Sequence, residues 1–139
     1  MKKEFNLIIS ITIVLIFGIL SIKYQNMIGA IAQIYMPICI IILLHNLRPE
    51  NLISKILASF GLIILNEFLI RFLGDIPINS DGNPWASLLF LMMLLTSYIT
   101  IITAVRIKKK EIDNYLTTIV YTTIALLIIA IFYIFKFLL

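Results

Sequence analysis

The stretch "ISKILASFGLIILNEFLIRFL" (Ile53–Leu73) decides the fold. Apart from Lys55, Asn66, Glu67 and Arg71 it is apolar or small at almost every position. A helix that is hydrophobic all round lies in a large core or in a membrane. Spanning the hydrocarbon layer takes about 20 mostly apolar residues in a helix. A barrel strand would alternate in polarity and be about half as long. The stretch therefore reads as a membrane-spanning helix.

The rest of the chain supports that reading. Of 139 residues, 62% are hydrophobic and only 13% charged. Soluble domains sit near half apolar and about a quarter charged. Five apolar runs emerge: 5–22, 27–44, 53–73, 85–105 and 115–139. The expected fold is all-α, a bundle of five transmembrane helices in one integral membrane domain over residues 1–139. The breaks between the runs carry turn chemistry. "KYQN" (Lys23–Asn26) reads as a tight polar hairpin, and "HNLRPEN" (His45–Asn51) places a proline at the start of the next helix. "GDIPINSDGNP" (Gly74–Pro84) is the longest loop, with Asn83 as N-cap and Pro84 at the first helical position. Pro37 should kink the second run. The first run has the Lys2–Lys3 start of a signal peptide. The nearest A-x-A pattern, Ala30–Ala32, lies inside the second run, so an uncleaved span is expected.

Lys and Arg accumulate in short loops on the cytoplasmic side. With the N-terminus inside, that side holds Lys2, Lys3, Arg48, Lys55, Arg106, Lys108, Lys109 and Lys110. The other side keeps Lys23, with Arg71 and Lys136 near span ends, and a loop bearing Asp75 and Asp81. The expectation is N-terminus in and C-terminus out. The basic patch Arg106, Lys108, Lys109 and Lys110 sets this topology and meets anionic lipid headgroups. Nucleic-acid binding is not expected, because nearly every base lies at the end of an apolar run. The isoleucine- and lysine-rich composition points to an AT-rich bacterial genome, and so to a bacterial cytoplasmic membrane.

Polar residues inside the spans are the candidate site. Glu67 lies about 9 Å inside the outer end of its span at 1.5 Å per residue. Arg71 is four residues on, in the favourable order for an i,i+4 pair. Gln33 and Tyr133 lie at the depth of Glu67, and Lys136 at that of Arg71. A polar cluster of Gln33, Asn66, Glu67, Arg71, Tyr133 and Lys136 is expected in the outer half. One reading makes Glu67 part of an ion, proton or substrate path. The other, adopted here, makes it a pairing residue that holds helices together. Ser and Thr on the fourth and fifth runs read as groups bonded to their own helix. Gly29, Ala30 and Ala32, and the pair Ser54 and Ala58, permit close helix approach within the chain or between copies.

Catalytic patterns are missing. There is no zinc-protease helix and no nucleophile elbow. His45 has no Cys or His partner at metal-ligand spacing, and lone Cys39 reads as a packing residue. No cofactor is expected. The expected function is that of a non-enzymatic accessory or oligomer-forming subunit of a transport, secretion or defence complex. The alternative is a small oligomeric transporter or channel using Glu67. A lipid-modifying enzyme ranks last.

Overall fold

The computed structural model describes residues 2–74, 84–108, 110 and 113–138, with side chains at all of these except 2, 3, 25, 26, 84–87, 132 and 134–138. Four helical elements follow in order: α1 (Lys2–Leu44), α2 (Leu52–Leu73), α3 (Pro84–Lys108) and α4 (Asn114–Leu138). A 3-10 turn over Pro49–Asn51 precedes α2. Among the described residues there is no strand. Among these residues five segments are long and apolar enough to cross a membrane, because α1 contributes two.

Straight, the 43 residues of α1 would reach about 65 Å, twice the hydrocarbon thickness. The helix is instead folded back on itself. Tyr24 has non-helical dihedrals, φ −126° and ψ 40°. Ser10 Oγ donates to the Cys39 carbonyl at 3.0 Å, across 29 residues of sequence. The Phe17 ring stacks on Tyr35 with centroids 4.1 Å apart. Both pairs straddle Tyr24, so α1 has two antiparallel limbs, Glu4–Tyr24 and Met27–Leu44. The reversal expected at Lys23–Asn26 is concentrated at one residue rather than spread over a loop. Pro37 leaves the helical dihedrals intact, and the only departure within α1 is at Tyr24.

Side-chain pairs fix the neighbours. The second limb runs antiparallel to α2, through Tyr35–Asn66 near one end and Lys55–His45 near the other. α3 runs antiparallel to α2, through Asn66–Met93 and Arg71–Phe90. The first limb runs parallel to α2, with Gly18 against Leu69. One end of the bundle therefore holds the Tyr24 hairpin, Gly74 and Pro84. The opposite end, called the basic end below, holds Arg48, Lys55, Arg106 and Lys108.

Burial divides the helices. In the apolar windows, 44% of positions are buried in the second limb and in α2, 33% in α3, 22% in the first limb and 17% in α4. The core sits between the second limb, α2 and α3, around Met36, Ile40, Phe60, Ile63, Met93 and Ile101. α4 adds Val120, Ile124 and Ile131 to its margin. The hydroxyls on α3 and α4 are largely turned back on their own helices. Thr100, Thr103, Thr118, Thr122 and Thr123 each donate to the carbonyl four residues earlier, at 2.7–3.0 Å. This leaves outward helix faces apolar in effect, as a lipid setting requires.

Candidate functional site

The site is built on one stripe of α2. Leu52, Ile56, Phe60, Ile63, Asn66, Glu67 and Ile70 are its buried positions, spaced three or four apart together with Ser59 and Leu62. That spacing is one face of a helix. Asn66 and Glu67 thus face the protein interior, while Phe68 and Phe72 stack on each other on an exposed face.

Asn66 joins three helices. Its Oδ1 accepts from the Tyr35 hydroxyl on the second limb at 2.5 Å. Its Nδ2 donates to Met93 Sδ on α3 at 3.2 Å. The stacking of Phe17 on Tyr35 brings the first limb to the same level. Asn66 is fully buried, and a buried amide left without partners carries a large desolvation cost. The three contacts together define the relative height of four spans.

One turn further on, Arg71 Nε donates to Glu67 Oε1. Both side chains are nearly buried, at 7% exposure for Glu67 and 10% for Arg71. The Arg71 guanidinium also lies 5.8 Å from the centroid of Phe90, within cation–π range. An ion pair in a low-dielectric interior needs good geometry and further contacts to offset its desolvation. The pair here has the charge-assisted bond and an aromatic face.

The other expected members fall differently. Gln33 is half-buried, and its Nε2 reaches only 4.0 Å from Met92 Sδ. Tyr133 is 65% exposed on α4. The Lys136 side chain and Lys109 lie outside the described residues. Arg106 and Lys110 are exposed at the basic end, with Lys108 half-buried. Asn66, Glu67 and Arg71 are therefore brought together, with Tyr35, Met93 and Phe90 as partners that sequence reasoning had missed. Tyr35 was discoverable. It lies about as far from the hairpin end of its limb as Asn66 does from the end of α2. Nothing in the sequence singles out Met93.

This arrangement locks helix heights and holds a charge pair in the interior. Among the described residues no group of His, Cys, Asp and Glu is placed to hold a metal ion. Comparison with family models, with curated proteins and with solved structures finds no match.

Tyr35→Phe removes the donor to Asn66 Oδ1. The expected loss is about 1 kcal/mol, since interhelical hydrogen bonds in membranes average near 0.6 and reach about 1.7. Unfolding by SDS titration measures it. The double variant Tyr35→Phe/Asn66→Leu should lose less than the sum of the two singles.

Proposed function

We propose that the chain is a small non-enzymatic subunit of a larger membrane assembly, formed with other copies or with other membrane proteins. It lies in a bacterial cytoplasmic membrane with the N-terminus inside and the C-terminus outside. The observation that carries this reading is the position of α4. Its 25 residues are mostly apolar, yet only 17% of its spanning window is buried. Leu126 and Ile129 stand 61% and 65% exposed. Such a helix offers a long face to lipid or to another helix. The bonding of Asn66 to Tyr35 and Met93 across helices supports a holding role, while Glu67 pairs within α2 with Arg71, whose guanidinium lies over Phe90 on α3.

Cysteine crosslinking tests the assembly. In a Cys39→Ser background, Leu126→Cys and Ile129→Cys are each expected to give a crosslinked species in native membranes. Only uncrosslinked chain at both positions, with native mass measurement giving a monomer, would overturn the proposal. Labelling with an impermeant maleimide tests the orientation. Asp81→Cys should react in intact cells and Lys110→Cys only after permeabilisation.

A second reading is a small oligomeric transporter or channel with Glu67 as its proton- or cation-coupling group. It is favoured by the interior position of Glu67, since ionisable residues facing a bundle interior often mark transport paths. Glu67→Gln should then abolish cation or drug flux in proteoliposomes. Unchanged flux removes this reading.

A further inference from the structure

A groove of about 630 Å³ opens at the basic end between the second limb of α1 and α3. Its length is apolar. Ile41 and Leu44 form one wall, and Ile99 and Ala104 the other. Ile41 and Ile99 are more than half exposed, so among the described residues nothing fills the space between them. Thr100 and Thr103 also line it, but their hydroxyls donate to the carbonyls of Thr96 and Ile99.

The mouth has a different chemistry. His45, Asn46 and Lys108 border it. Asn46 ends the second limb in the left-handed region, φ 58°, a conformation that Asn tolerates better than most residues. Lys55 Nζ donates to the His45 carbonyl, which anchors this turn to α2. Arg48, Arg106 and Lys110 are exposed at the same end. Among the described residues these five Lys and Arg outnumber Glu4, Glu50 and Asp113, so the end is net positive.

The second limb and α3 run parallel here, and the groove follows them. From Lys108 back to Ile99 is nine residues, or about 13.5 Å of helix at 1.5 Å per residue. An elongated apolar slot along the helix axes, opening under a cationic rim, matches an amphiphile with an anionic head. A volume of this size lies within the usual range of about 300–1,000 Å³ for ligand sites.

We infer that this groove holds one anionic phospholipid, with an acyl chain between Ile41, Leu44, Ile99 and Ala104 and the phosphate at the rim formed by His45, Asn46 and Lys108. The inference rests on the reading of the chain as a membrane protein, but not on which face of the membrane the basic end meets.

Native mass spectrometry of the delipidated protein in detergent tests it, with phosphatidylglycerol, phosphatidylcholine and inorganic phosphate as probes. One phosphatidylglycerol should bind per chain in preference to phosphatidylcholine, and excess inorganic phosphate should not displace it. Ala104→Phe fills the slot. Excluding as few as two methylenes of the chain weakens binding about tenfold. Lys108→Gln removes one rim charge and should weaken phosphatidylglycerol about fivefold, leaving phosphatidylcholine unchanged. Ala125→Trp, on the exposed face of α4, should change neither. If Ala104→Phe does not fold, Lys108→Gln decides alone. Equal binding of the two lipids, displacement by inorganic phosphate, or insensitivity to Lys108→Gln would each overturn the inference. Vesicle flotation separates the two levels. A chain that floats with vesicles but shows no lipid preference loses the groove and keeps the membrane reading. A chain that does not float loses both.

Discussion

Arg71→Ala is expected to destabilise the bundle by about 3–5 kcal/mol, the usual loss when one member of a buried ion pair is removed. The carboxylate of Glu67 stays behind in the interior with its charge-assisted bond gone. The double variant Glu67→Gln/Arg71→Ala should lose much less than Arg71→Ala alone. Replacing both members of a buried pair is often close to neutral, because the desolvation of two charges disappears with their attraction. Unfolding in SDS, with all three variants in one detergent, gives the comparison. If the double variant is as unstable as Arg71→Ala, the two side chains act separately, and relief of the unpaired Glu67 charge is not what the loss reports.

Gly18→Val carries the second large effect. A Cβ at Gly18 would lie 2.9 Å from Leu69 Cδ1 and 3.0 Å from Leu69 Cβ. The second contact is to an atom next to the backbone, which cannot swing away. The first limb must therefore move off α2. Overpacking of this kind costs about 1–3 kcal/mol, and the branched side chain places valine at the upper end. In lipid the loss is not offset by hydrophobic attraction, since lipid tails are as apolar as the side chains, and close packing itself drives association. Adding Leu69→Ala should recover part of the loss. Gly61→Ala is the control. A Cβ there meets nothing within 4 Å, so it should be neutral or slightly stabilising. A Gly18→Val protein that unfolds like wild type would show that the first limb does not pack closely on α2.

Several elements were legible because they depend on local chemistry. Continuous apolarity over the length of a bilayer identifies the spans, and Pro84 is the first described residue of α3, the Asn83 cap expected before it lying outside the described residues. Glu67 and Arg71 could be paired from their spacing, because residues four apart share a helix face whatever surrounds them. The threonine back-bonds were likewise local. Depth matching worked less evenly. It placed Tyr133 beside the polar cluster, while the structure leaves that residue 65% exposed. Equal height says nothing about which way a residue faces. Tyr35 and Met93 were missed for the complementary reason, since their roles exist only once the second limb and α3 are set against α2.

The amino-acid sequence alone determined a helical chain with five stretches suited to a membrane, and an acid and a base one turn apart on the third. Such features follow from hydropathy, rise per residue and the 3.6-residue turn, and they need no neighbour. Tertiary structure decided which face of each helix is inside, which helices touch, and how α1 doubles back at Tyr24. When a helix is apolar on every side, polarity marks no inner face. The choice then passes to shape, as at Gly18 and Leu69, and to a few interhelical polar contacts such as Tyr35 with Asn66.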